Sequence, residues 1–145
     1  MSPGRLGLLL LPLLAVVALG AGCGGSASST PAPTTIVSAD AIALVQPADA
    51  QALIETGDVE VLDVRTPEEY AEGHVAGATL IDFYEPDFAE RIGELDRDQE
   101  YVVYCRSGNR SGQAVALMAE QGFGAVNDVD GGIVAWEAAG LPVSR

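Results

Sequence analysis

Apolar and polar positions from Pro47 onward fall into short β-like runs separated by helix-like ones. Val59–Val64 is rich in β-branched residues and reads as a strand, as do Ala78–Ile81, Tyr101–Cys105 and Ala125–Asp128. Between them lie helical patterns. Pro47–Ile54 has proline in its first turn and is closed by Gly57-Asp58. Thr66 is placed as an N-cap, with Pro67 next and Glu69 three residues on, and Gly73-His74 ends this short helix. Asp87–Leu95 keeps helical spacing, Ser111–Gln121 leads to Gly122 as a C-terminal cap, and Ile133–Ala139 precedes Gly140 and Pro142. Strands alternating with helices predict an α/β domain with a mostly parallel sheet covered on both faces. In such sheets a site forms beyond the carboxyl ends of the strands, where both Cys105 and Asp63-Val64-Arg65 fall. No internal repeat is present.

The first 35 residues break this pattern. Arg5 precedes an apolar run, Leu6 to Leu19, interrupted only by Gly7 and Pro12, and too short for a comfortable membrane span of about 20 residues. Gly20-Ala21-Gly22 then leads to Cys23. Residues 1–22 therefore read as an export signal, and a cysteine after small residues resembles a bacterial lipoprotein signal. That resemblance implies a lipidated Cys23 as the mature N-terminus. The sequence departs from the pattern at Gly20, where leucine is usual. Gly24 to Thr35 holds only Gly, Ser, Thr, Pro and Ala, a composition that cannot bury enough surface to fold. Residues 23–35 read as a tether and 36–145 as the folded domain. The expected location is the outer face of the cytoplasmic membrane or the periplasm, held by the lipid anchor; the alternative is a secreted protein.

Charge narrows the partners. Seven cationic residues, all arginine, stand against 21 acidic ones, giving a formal net charge of −14. Such a surface repels nucleic acid, so nucleic-acid binding is rejected. Glu85, Asp87, Glu90, Glu94, Asp96 and Asp98 are read as a solvated acidic face. There are two cysteines, Cys23 and Cys105. A disulfide between them would join a polar tail to the centre of a domain, and this pairing is set aside. With Cys23 acylated, Cys105 is the only free thiol, and a dithiol cycle within one chain is impossible. One histidine, His74, does not make a metal site with so few partners, so no metal and no cofactor are expected.

Chemistry concentrates in Cys105-Arg106-Ser107-Gly108-Asn109-Arg110-Ser111, a small-residue loop between the Tyr101–Cys105 strand and the helix after it. Backbone N–H groups and a helix N-terminus directed at a thiol favour the thiolate, which is the nucleophile. Two of the few arginines lie in this loop. Arg106 and Arg110 are expected to attract an anionic substrate and depress the thiol pKa. Ser107 and Ser111 can add hydroxyl donors, and Gly108 allows tight curvature.

Three ordered motifs carry a family resemblance. They are Leu62-Asp63-Val64-Arg65-Thr66-Pro67-Glu68-Glu69-Tyr70 with Gly73-His74-Val75-Ala76-Gly77-Ala78; the Cys105–Ser111 loop; and Gly131-Gly132, Trp136 and Gly140-Leu141-Pro142-Val143. Together they resemble a single-domain rhodanese. The resemblance implies about five parallel strands with helices on both sides, and a Cys105 that carries sulfur as a persulfide. Thiosulfate or a similar donor would load it, and cyanide or a thiol would unload it. Backbone N–H groups from Arg106 to Ser111, including those of Gly108 and Asn109, would hold the persulfide anion. Asp63 and Arg65 read as supporting residues, with Arg65 expected to pair with Glu68 or Glu69. His74 and Trp136 read as structural. Two alternatives stand beside sulfur transfer. One is a non-catalytic or weakly active module that binds sulfide or a partner. The other is a cysteine phosphatase or arsenate reductase, whose loop is one residue longer and has arginine six positions after the cysteine. Here that position is Ser111, and Arg110 is five after.

Overall fold

The structure, a computed structural model, describes residues 42–145. The export signal (1–22), the tether with Cys23 (23–35) and the first residues of the expected domain lie outside the described residues.

Five strands, β1 (Ile42–Val45), β2 (Val59–Asp63), β3 (Thr79–Leu80), β4 (Glu100–Tyr104) and β5 (Ala125–Val129), form one sheet in the order β1-β5-β4-β2-β3. Every pairing is parallel. β1 is absent from the periodicity reading. It is a four-residue edge strand with two exposed positions, so it offers little alternation to detect. The central strand β4 pairs with β2 from Val59–Glu100 to Asp63–Tyr104.

Alternation along β4 sends side chains into two separate cores. Tyr101, Val103 and Cys105 join Leu62, Val64, Phe88, Ile92, Ala114, Val115 and Met118 on one face. Val102 and Tyr104 join Val61, Ala50, Ile133 and Trp136 on the other. The first face is covered by α3 (Phe88–Gly93) and α4 (Asn109–Glu120), the second by α1 (Pro47–Thr56), α2 (Pro67–Glu72) and α5 (Gly132–Ala138). Helix α4, after β4, thus leaves toward one face, while α2 and α5, after the neighbouring strands β2 and β5, leave toward the other. A crevice opens at the carboxyl end of β4 between these diverging connections.

Local signals decide the helix ends. The Thr66 hydroxyl accepts from Glu69 N–H at 3.4 Å and the Glu69 carboxylate accepts from Thr66 N–H at 3.2 Å, a reciprocal capping box. Helix α4 begins at Asn109, two residues earlier than the sequence suggests, because Gly108 takes a left-handed conformation (φ 94°) and turns the loop directly into the helix. The six acidic residues from Glu85 to Asp98 named above are all exposed. Trp136 is buried and its indole N–H donates to Pro142 O at 3.0 Å, fastening the C-terminal segment.

Candidate active site

Cys105 follows β4 directly and is 1% exposed, with its side chain in the core under α4. Its thiol is free. The Gly108 N–H donates to Sγ at 3.1 Å, and the Ser111 hydroxyl lies 3.5 Å from Sγ. Burial alone would push the thiol pKa up. The Ser111 N–H and hydroxyl, with the N–H groups of Ser107 and Gly108, outweigh it and hold the thiol below its ordinary value. The loop thus wraps one sulfur with backbone donors at the start of α4.

The arginines behave differently from the sequence expectation. Arg110 feels the charge of Cys105 but gives its hydrogen bonds to another residue. It forms a two-pronged pair with Glu69 at 2.7 and 2.8 Å, and its guanidinium lies 5.5 Å from the centre of the Tyr84 ring. That pair holds Glu69 down to about 2: the Arg110 hydrogen bonds outweigh burial, and the Thr66 N–H helps. Arg110 therefore clamps α4 to α2 across the crevice. Arg65 pairs with neither Glu68 nor Glu69. It binds Asp63, with Nε at 2.9 and 3.0 Å and Nη2 at 2.6 Å, and gives a further bond to Gly73 O at 2.7 Å. Asp63 ends β2 inside the fold, so Arg65, two residues on, folds back over it, whereas Glu69 faces α4.

Among the described residues these are the two ion pairs, and the exposed Arg106 is in neither. Arg106 lines a cleft of about 550 Å³ with Arg65, Glu69, Glu72, Gly73 and residues of α5. Ser107 and Asn109 are exposed, and the Asn109 carboxamide accepts from Gln113 rather than facing the thiol. His74 stacks on Tyr70 at 3.8 Å, and its Nδ1 donates to Tyr70 O at 3.1 Å, a structural placement.

Gly132 holds the loop from the far side. Its φ is +58°, and a Cβ there would sit 2.4 Å from Cys105 O and 2.7 Å from the Arg106 carbonyl carbon. The close approach lets Ile133 N–H donate to Cys105 O at 2.9 Å and Val134 N–H to Arg106 O at 3.2 Å. The amides that open α5 thus fix the carbonyls of the cysteine loop. In the sequence, two adjacent glycines, Gly131-Gly132, just before a helix are the signal for this close approach. The Glu69–Arg110 clamp had no such signal, because 41 residues separate its partners.

A five-stranded parallel sheet with a cysteine held in a ring of donors at its carboxyl edge defines a class of α/β proteins with a thiolate site. Residues 46–139 match the rhodanese-like domain, and the chain belongs to that family. It is 42% identical over 91 residues to a sulfurtransferase of Allochromatium vinosum, covering 63% of this chain and 83% of that protein. It is 36% identical over 99 residues to thiosulfate sulfurtransferase GlpE of Pseudomonas aeruginosa, covering 68% and 87%. Among solved structures, a rhodanese-related protein of Thermoplasma volcanium is 35% identical with a TM-score of 0.64, covering 70% of this chain and 97% of that one. These relatives place the chain among rhodanese-like sulfurtransferases at the level of the family.

Proposed function

We propose that the protein moves a sulfane sulfur from a donor such as thiosulfate to cyanide or a thiol through a persulfide on Cys105. The observation that carries this reading is the thiol itself: buried, free, and met by the Gly108 N–H at 3.1 Å and the Ser111 hydroxyl at 3.5 Å. The Cys105 thiolate attacks the outer sulfur of thiosulfate. A sulfur–sulfur bond forms to Cys105, the bond to the sulfonate sulfur breaks, and sulfite leaves with the electron pair. Cyanide or a thiolate then attacks the outer persulfide sulfur, and Cys105 departs as the thiolate. This two-step covalent route predicts ping-pong kinetics. The N–H groups that lower the thiol pKa also accommodate the persulfide anion, and Arg106 offers its guanidinium to an anionic donor at the cleft. Asp63, Arg65 and the Arg110–Glu69 clamp support the loop and its crevice rather than touch sulfur.

The commitment of Arg110 to Glu69 weighs against phosphate chemistry, which needs a guanidinium facing the loop anion. The test is intact mass after exposure to thiosulfate, on wild type and Cys105→Ser. Wild type gains one sulfur atom and the variant gains none. A wild type that gains nothing favours a binding module, and aryl phosphate turnover matching that with thiosulfate would favour a phosphatase.

The same reading places the domain outside the cytoplasm, tethered through a lipidated Cys23. It rests on the leader and the polar tether. Detergent partitioning of wild type and Cys23→Ala tests it: partitioning lost in the variant supports the anchor, and unchanged partitioning removes it.

A further inference from the structure

The cleft beside the cysteine loop is larger than thiosulfate or cyanide requires. It holds about 550 Å³, within the roughly 300–1,000 Å³ of sites that enclose an organic ligand. Its position ties it to the sulfur. Arg106, in its lining, follows Cys105 directly, and the Ile133 and Val134 N–H groups hold the Cys105 and Arg106 carbonyls at 2.9 and 3.2 Å. Helix α5 contributes Ile133, Val134 and Glu137 to the lining, and α2 with its C-terminal cap contributes Glu69, Glu72 and Gly73.

The charges along this lining divide into spent and free. Arg65 is bound to Asp63 and to Gly73 O, and Glu69 to Arg110. Arg106, Glu72 and Glu137 are exposed, and among the described residues none of the three is in an ion pair. Arg145 approaches Glu72 but donates its Nε to the Glu72 backbone carbonyl, at 3.1 Å. The cleft therefore offers one guanidinium and two carboxylates, with apolar surface from Ile133 and Val134. A dianion such as thiosulfate meets more repulsion than attraction there. The complementary ligand carries a carboxylate for Arg106 and an ammonium for Glu72 and Glu137 on a short apolar stem.

We propose that the sulfur acceptor is a low-molecular-weight thiol of amino-acid type, bearing both an ammonium and a carboxylate, and that Glu72, Glu137 and Arg106 select it. This selection deepens the sulfur-transfer reading and rests on it. The acceptor thiolate attacks the outer sulfur of the Cys105 persulfide. A sulfur–sulfur bond forms to the acceptor, the bond to Cys105 breaks, and Cys105 leaves as the thiolate with its electron pair. The acceptor departs as its own persulfide. Thiosulfate and cyanide have no ammonium, so neither engages Glu72 and Glu137.

Disulfide probes test these charges without a sulfur donor. The Cys105 thiolate attacks a symmetric disulfide, forms a mixed disulfide with half of it and releases the other half as a thiolate. The full chain is treated with cystamine, which carries two ammonium groups, with dithiodipropionate, which carries two carboxylates, and with neutral bis(hydroxyethyl) disulfide. Each rate is followed on the Cys105 peptide, so that Cys23 does not contribute. It is then divided by the neutral-probe rate of the same protein, which removes changes in the thiol itself. The Glu72→Gln/Glu137→Gln double variant should lose about fivefold in the cystamine ratio, the worth of two exposed charge contacts. Arg106→Gln should lose about threefold in the dithiodipropionate ratio. Glu60→Gln/Glu120→Gln removes two exposed acidic charges that are not in the cleft lining and should leave the cystamine ratio unchanged. A cystamine ratio unmoved in the Glu72/Glu137 variant overturns the proposal. So does an equal loss in the Glu60/Glu120 control, or a dithiodipropionate ratio that Arg106→Gln does not lower. Thiosulfate loading is a separate measurement by intact mass; its failure removes the persulfide and leaves these ratios standing.

Discussion

Replacing Gly132 by alanine puts a methyl group where backbone already stands. The added Cβ would lie 2.4 Å from Cys105 O and 2.8 Å from Arg106 O, well inside van der Waals contact. Neither oxygen can yield alone, because each is held by an N–H of α5 at 2.9 and 3.2 Å. A left-handed conformation costs a non-glycine residue about 1–2 kcal/mol. Loosening two backbone hydrogen bonds adds about 1 kcal/mol each, and crowding about 1–3 kcal/mol. The expected loss is therefore about 4–7 kcal/mol, a large part of the roughly 5–15 kcal/mol by which a domain is stable. Gly122→Ala is the control. Its φ is +86°, but nothing lies within 4 Å of the added Cβ, so only the conformational term of about 1–2 kcal/mol applies. Urea unfolding of the three proteins gives the comparison, and iodoacetamide rates at Cys105 report whether the loop has moved. Gly132→Ala should have the lowest midpoint and an altered Cys105 rate. Equal losses in the two variants would refute the argument that α5 locks the cysteine loop by close approach.

Other expectations follow from the two ion pairs. Glu69→Gln keeps a side chain that can serve the capping box but loses the charge that Arg110 grips. Glu69 is held at about 2 in the folded state against an ordinary 4.5, so its contribution is complete above pH 4.5 and disappears as pH falls toward 2. Because Glu69 is partly exposed, that contribution is discounted to about 1–2 kcal/mol. Wild type should lose it across that window by urea unfolding, while Glu69→Gln should be flatter there and less stable at neutral pH. Asp63 and Arg65 are buried together, so Arg65→Leu leaves an unpaired carboxylate in the core and should cost about 3–5 kcal/mol. The Asp63→Leu/Arg65→Leu double variant should recover part of that loss. A double variant no better than the worse single one would show that packing, not charge pairing, sets the cost.

Much of the architecture is written in local pattern. The β-branched run at Val59–Val64 and the apolar run at Tyr101–Tyr104 became two of the three interior strands, because strands buried on both faces are nearly continuous in apolar residues. The Thr66-Pro67-Glu68-Glu69 start formed its capping box, since all its partners lie within one turn. The strand β1 escaped because a four-residue edge strand needs β5 beside it before its hydrogen bonds exist. Arg65 pairs with Asp63 rather than with Glu68 or Glu69 for a related reason. Sequence proximity offered Glu68 and Glu69, but burial placed Asp63 beneath Arg65 and turned Glu69 toward α4.

The sequence alone thus determined the succession of elements, the family likeness and the cysteine that matters, since each depends on neighbours along the chain. The tertiary structure decided which groups surround the sulfur. It spent Arg110 on a carboxylate 41 residues away, brought α5 against the cysteine loop through Gly132, and set Asp128 against α4 at Gly112. Those partners meet only when separate strands and helices pack; the packing also buries the thiol, the largest influence on it, while Ser111, Ser107 and Gly108 of its own loop oppose that burial.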